Sequence, residues 1–246
     1  MTDTPSSPDK PLGGQTALVT GASKGIGAAS ALALAAAGAH VILVARKVKP
    51  LEGIEDAIHD VGGTATIAPV DLTEGDSVSR LATAISGRWD TLDILLLSAA
   101  YLPELTPLSQ ADPKQFNQAM MTNVVATQAL LANFDPLLRR SKKGRVIGLT
   151  SSVGADPRPF WGAYGSSKAA FDNLLATYGA EVERLSAVRV AIVDPGATRT
   201  DMRARAYPGE DPASVKPPEV VADRLVALLA EDFENGHRER VDGAAA

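Results

Sequence analysis

Six short apolar runs alternate with segments of helical character along this chain, and that alternation restricts the fold more than any other feature. The runs are TALVT (16–20), HVILVA (40–45), TATIAPV (64–70), DILLLSAA (93–100), RVIGLTS (145–151) and VRVAIVD (188–194). Between them lie an Ala-rich helical stretch from Ala28 to Ala37 closed by Gly38, a helix over 50–60 ending at Gly62 and Gly63, and a helix over 74–88. A long helix is predicted over 113–140 with Asp112 as its N-cap, then another over 163–185 and, after a Pro/Gly-rich loop, one over 218–230. The end of the chain, FENGHRERVDGAAA, carries a weak signal for a seventh strand. Strands that are apolar along their whole length are buried on both faces, which points to a parallel sheet with helices above and below. Right-handed crossovers then give a doubly wound α/β sheet, a single domain over 15–246, with ligands expected outside the carboxyl ends of the strands. The polar start, residues 1–14, rich in Pro and Ser, reads as a disordered tail.

Composition narrows the function. A net charge of −5 argues against nonspecific binding to nucleic acid or to an anionic membrane, both of which need a basic surface. The absence of cysteine excludes disulfides, thiol nucleophiles and cysteine–zinc sites together. His40, His59 and His237 lie far apart without metal-ligand spacing, so no metal site is expected and each reads as a surface or loop residue. No apolar stretch reaches the length of a membrane span, and the start lacks the apolar core of a signal peptide. The cytoplasm is the expected location.

The first strand runs into TGASKGIG, residues 20–27, with glycines at 21, 25 and 27 between a strand and a helix. Gly lets the backbone turn sharply and approach a phosphate, and the free N–H groups at the helix start favour an anion. A tight turn that uses glycine for packing alone is the other reading. Where a dinucleotide-binding chain using NAD carries an acid at the end of its second strand, this chain has Ala45 followed by Arg46. Arg46, with a planar fork, and Lys24, as a point charge, then favour the 2′-phosphate of NADP over NAD; two solvated loop cations are the alternative. YGSSK, residues 164–168, puts a phenol and an ammonium four residues apart, on one face if helical. Alone, that pair fits either a proton-handling device or a helix start with a solvated lysine.

Taken in register, TGASKGIG (20–27), VDL (70–72), the asparagine of TNVVA (122–126), GRVIGLTSS (144–152), YGSSK (164–168) and PGATRT (195–200) resemble the short-chain dehydrogenase/reductase family of single-domain Rossmann type, over nearly the whole chain beyond the tail. The resemblance implies hydride transfer between a nicotinamide and a carbonyl carbon, with Asn123, Ser151, Tyr164 and Lys168 as the catalytic set. Tyr164 would handle the proton; its free phenol, with a pKa near 10, would be tuned by the Lys168 cation. Ser151 would donate to the substrate oxygen as charge develops there. Asn123 would hold a water connecting Lys168 to solvent.

The resemblance also implies the cofactor contacts. These are Gly21, Ser23, Lys24, Gly25, Ile26 and Gly27 at the first turn, Arg46, the adenine-contacting Asp71 and Leu72, and Ser98, Ala99 and Ala100 after the fourth strand. Tyr164, Lys168, Pro195, Gly196, Thr198 and Thr200 complete the set. The segment Leu97-Ser98-Ala99-Ala100 departs from the family's Asn-Asn-Ala-Gly: the Asn amide that ties the central strands is gone, Ser98 can replace one of its bonds at most, and Ala100 adds a methyl where the cofactor approaches. That departure motivates a rival reading, a nucleotide-binding sensor or scaffold of the same fold with little turnover. Tyr101, Phe160, Trp161, Met202 and Tyr207 suggest a partly apolar, aromatic-lined pocket for a small carbonyl or alcohol substrate. Residues 202–216 read as a mobile lid. The helices over 113–140 and 163–185 are the family's usual contact surface, so a homodimer or homotetramer is expected.

Overall fold

The computed structural model describes residues 10–231 and 233–242. Its strands are β1 (Thr16–Thr20), β2 (His40–Ala45), β3 (Thr64–Pro69), β4 (Ile94–Leu97), β5 (Arg145–Leu149), β6 (Arg189–Asp194) and β7 (His237–Arg240). Its helices are α1 (Gly25–Ala36), α2 (Val48–Asp60), α3 (Ser77–Ser86), α4 (Pro113–Met120), α5 (Ala126–Arg140), α6 (Gly162–Val182), α7 (Asp201–Ala206) and α8 (Pro218–Ala230). The strands form one seven-stranded parallel sheet in the order β3-β2-β1-β4-β5-β6-β7. This is the expected doubly wound α/β fold, and the weak seventh strand is present as an edge strand. The order reverses between β1 and β4, so a crevice opens there at the carboxyl ends.

Burial explains why the central strands read as unbroken apolar runs. Along β1, Leu18 enters one core layer with Ile42, Leu95, Phe134, Phe171 and Leu175, while Val19 enters the other with Leu34, Leu43, Leu51, Ile147 and Leu225. Each fully buried Leu or Ile contributes about 1.5–3 kcal/mol of transfer free energy. The two layers together hold the strand ends fixed at the crevice.

Three differences from the sequence reading have physical causes. Part of the expected disordered tail lies outside the described residues, yet its end is ordered: Leu12 is fully buried and its N–H donates to the Ala37 carbonyl at 2.9 Å. One apolar residue among Pro and Gly was enough to anchor that end on the core. The helix over 113–140 is interrupted by a π turn at Met121–Val125, with the expected Asp112 cap accepting from the Lys114 N–H at 2.9 Å. His40 is not a loop residue. Its ring nitrogens bond the Thr64 and Thr66 hydroxyls at 2.9 and 3.0 Å, and the ring stacks on Trp89, so it ties β2 to β3.

Candidate active site

A cavity of about 510 Å³ fills the crevice, running from the β1–α1 turn to the start of α6. At its first end, Gly21 and Gly25 have φ of 69° and 57°, a conformation that glycine adopts without strain. A Cβ on Gly27 would lie 2.3 Å from the Gly21 carbonyl oxygen, so the turn closes on itself only with glycine there. The first N–H groups of α1 face this turn without a side-chain cap from Lys24, which leaves donors available to an anion. Arg46 and Lys47 line the same end, beside Asp71. Burial pushes the Asp71 carboxyl up, but the Thr73 N–H and hydroxyl at 2.9 and 2.7 Å, with Arg46 nearby, hold it below the ordinary carboxylate range.

Lys24, expected to meet the 2′-phosphate of the cofactor, donates to Asp201 at 2.8 Å across the cavity mouth. Both side chains are over 70% exposed, at 71% and 72%. The Thr200 side chain caps α7 by accepting from the Arg203 N–H at 3.1 Å. The stretch expected as a mobile lid is braced: Arg203 binds Glu210 at 2.5 and 2.6 Å and stacks 3.6 Å from the centre of the Tyr207 ring. Arg205 donates to the Leu102 carbonyl at 2.6 Å, and Thr198 bridges Lys216. Pro and Gly in the sequence hid a short helix whose arginines supply these ties.

In the middle of the cavity lies the departure at Leu97-Ser98-Ala99-Ala100. The strand tie expected from an asparagine comes instead from Thr20: its hydroxyl accepts from the Ser98 and Ala99 N–H groups at 3.0 and 3.1 Å and donates to the Leu96 carbonyl at 3.3 Å. Ser98 is therefore joined to β1 through its backbone. A Cβ on Gly21 would meet the Ala99 Cα at 2.9 Å, so the two strand ends pack backbone to backbone here.

At the far end Tyr164 and Lys168 lie in the first half of α6, nearly buried at 6% and 3% exposure. The Lys168 ammonium donates to the Leu149 carbonyl at 2.7 Å and sits 4.5 Å from the Phe171 ring centre and 5.8 Å from that of Tyr164. Burial lowers its pKa to about 8, against the opposing pull of Asp172 and Asp194. The expected net lowering of the Tyr164 phenol is not what this arrangement gives. Burial, then the Asp194 charge, push the phenol up, while the ammonium is committed to Leu149. The phenol oxygen faces the Met202 sulfur at 4.0 Å. Leu102, Val153, Leu105, Trp161, Met202 and Ala206 surround the ring, with Trp161 edge-on at 6.0 Å.

Of the predicted cofactor contacts, all but Gly196 and Thr198 line the cavity. Those two shape its loop instead. Gly196 has φ of 61°, and a Cβ there would lie 2.9 Å from the Val241 carbonyl oxygen; the Thr198 hydroxyl donates to the Pro195 carbonyl at 3.0 Å. Asn123 is buried in the π turn rather than on the cavity wall. Its amide exchanges bonds with the Tyr101 backbone at 2.8 and 3.1 Å and donates to the Ser167 hydroxyl at 2.8 Å. Ser151 follows Thr150, which does line the cavity, and starts a short 3-10 turn. Of the aromatic residues singled out, Tyr101 lines the cavity and Trp161 and Tyr207 pack together at 5.9 Å. Phe160 is 56% exposed with φ of 74°, a left-handed backbone uncommon for a bulky residue. Sequence reasoning missed Thr20, Asp201 and Asp172; the last lies four residues beyond Lys168, a spacing that the sequence does display.

Comparison with known proteins shows the family and the fold. The sequence profile of the family described as short chain dehydrogenase matches residues 15–211. An oxidoreductase of Escherichia coli K12, YciK, is 34% identical over 218 residues, covering 87% of this chain and 86% of the relative. A solved short chain dehydrogenase from Pseudomonas syringae superimposes with a TM-score of 0.91 at 38% identity, covering 98% of this chain and 100% of that one. One from Shigella flexneri, crystallised in complex with NADP, superimposes with a TM-score of 0.89 at 33% identity, covering 95% and 99%.

Proposed function

This chain belongs to the short-chain dehydrogenase family and is an oxidoreductase; from that premise we propose that it uses NADP to interconvert a small apolar carbonyl compound and its secondary alcohol. The observation that carries the reading is the single cavity joining the Gly-rich turn and Arg46 to the buried Tyr164–Lys168 pair. The residues fit a dinucleotide. The turn of Gly21, Gly25 and Gly27 would hold the pyrophosphate, Arg46 a 2′-phosphate, Asp71 and Leu72 the adenine, and Pro195 and Thr200 the nicotinamide end. When bound, NADPH supplies a hydride from the nicotinamide ring.

The chain's own residues supply the rest. A phenol held protonated by burial suits Tyr164 to give a proton to the carbonyl oxygen as it becomes an alkoxide. Lys168 places a positive charge near that phenol, which stabilises the phenolate left behind. Ser151 adds a hydrogen bond to the same substrate oxygen. Asn123 fixes the loop at Tyr101 against α6 through Ser167, which holds the wall of the substrate pocket. The groups around the phenol are apolar, and Arg203 and Arg205 are bound within the chain, so a neutral apolar substituent fits beside the reacting carbon better than a charged one. Exposed Met121 and Val125 on the 113–140 helix fit the self-association expected of the chain, which light scattering measures.

The test is Tyr164→Phe assayed with NADPH against a panel of apolar ketones and aldehydes. Turnover is expected to fall by about 10²–10⁴, with NADPH affinity changed less than about threefold. Unchanged turnover would sink the assignment.

A further inference from the structure

Behind the buried lysine stands a group that the proposed chemistry leaves unused. Asp172 lies one helical turn beyond Lys168 on α6, so Tyr164, Lys168 and Asp172 fall on one face. One of its carboxylate oxygens accepts a short bond from the Thr150 hydroxyl. The other accepts from Arg238 of edge strand β7 at 3.0 Å. The aspartate side chain is 15% exposed and the arginine 53%.

These contacts grip the end of β5 from α6 at two consecutive residues. Lys168 holds the Leu149 carbonyl at 2.7 Å, and Asp172 holds the next residue, Thr150. Thr150 is also paired to β6 through its N–H and the Val193 carbonyl at 2.8 Å. Ser151 follows directly. The spacing between Ser151 and the Tyr164–Lys168 pair is thus set by a clamp whose far end is Arg238, at the edge of the sheet.

We propose that Asp172 is a positioning residue of the reaction centre: it locks the Leu149–Ser151 segment onto α6 and sets a negative charge beside the Lys168 ammonium, with Arg238 moderating that charge. This rests on the function proposed above. The charged and titratable groups around Lys168 are Tyr164 and Asp172 from α6 and Asp194 from β6. Arg238 faces Asp172, while Arg240, 3.6 Å away, and Lys216 face Asp194. Asp172 is among the groups that oppose the loss of the Lys168 proton, and burial favours that loss.

The two partners of Asp172 separate its roles. Asp172→Asn keeps an oxygen for Thr150 and removes the charge. It should lower the Lys168 titration midpoint, and with it the basic limb of the kcat profile, by roughly one pH unit. Arg238→Gln leaves the carboxylate unneutralised and should move both upward. Thr150→Val breaks the clamp and keeps the charge; kcat should fall roughly fivefold to tenfold with the limb in place. The lysine titration is read by NMR on protein carrying ¹³Cε-lysine, with the Lys168 signal identified by its loss in Lys168→Met, and needs no turnover. A Lys168 titration unmoved in Asp172→Asn, or moved in the same direction in Arg238→Gln, overturns the role of Asp172. If the titrations move as expected but the wild type turns over no carbonyl with NADPH, the function fails instead. Should Asp172→Asn not fold, Arg238→Gln alone still decides, because its exposed site tolerates the change.

Discussion

The two ends of the cavity hold their cations in opposite ways. Lys24 is 71% exposed and pairs with an equally exposed Asp201, whereas Lys168 is 3% exposed and bonds a backbone carbonyl at 2.7 Å. In water, opposite charges a few ångströms apart attract by about 1 kcal/mol; in a protein interior the same pair interacts several times more strongly. A cation at the adenosine end therefore acts as an adjustable contact, and one at the nicotinamide end as a fixed part of the chemistry. Energies of substitution should differ accordingly, by orders of magnitude in rate at one end and by small factors in affinity at the other.

The largest effect should come from Lys168→Met. It removes the charge near Tyr164 and leaves the Leu149 carbonyl without its donor, and leaving a buried acceptor unpaired costs about 1–3 kcal/mol. We expect carbonyl reduction to fall by more than about 10² and the melting temperature to drop as well. A loss below tenfold would erase the contrast between the ends. The same lysine sets the pH response. With its pKa lowered to about 8 by burial, Lys168 is cationic below that pH and neutral above it. Reduction should hold steady below about pH 8 and decline above it, and a kcat profile that rises through pH 9 would contradict that sign.

Arg46→Ala should act on affinity alone. If Arg46 meets the 2′-phosphate with two charge-assisted bonds, its loss should weaken NADPH by about tenfold, or about 1.4 kcal/mol, and leave NADH nearly unaffected. Titration of both dinucleotides into wild type and variant measures this. An equal change in the two would move Arg46 away from the phosphate.

How far the sequence shows the site follows the same division. The Gly-rich turn, Arg46 and the α6 pair are legible because each is a local pattern attached to a strand end. Most of what escaped lies in contacts between distant residues. Thr20 replaces the missing asparagine by bonding residues 78 and 79 positions away. Lys24 meets Asp201 across 177 residues, so its charge was visible while its partner was not. Asp172 is the instructive exception, since positions 164, 168 and 172 share a helical face. What hid its role was Thr150, whose hydroxyl gives that carboxylate something to hold. Short α7 escaped for another reason: six residues give too little periodicity, and its hold on the cavity rests on Arg203 and Arg205.

The smallest effect should lie at Lys24 itself. Its bond to Asp201 must loosen if the ammonium is to serve a 2′-phosphate, so the two acceptors compete for one donor. Lys24→Ala then costs NADPH affinity, but less than Arg46→Ala, because part of what is lost in the complex was already compensated in the free protein. Asp201→Asn releases the lysine and should tighten NADPH by about twofold to threefold. That gain should vanish in Lys24→Ala/Asp201→Asn, and it should shrink in high salt, which screens exposed charges over a few ångströms. Isothermal titration at low and high salt resolves these differences. A gain in Asp201→Asn that survives the double substitution but still shrinks in high salt would show that Asp201 acts on the cofactor by repulsion rather than through Lys24, and the cation at this end would then be a bystander.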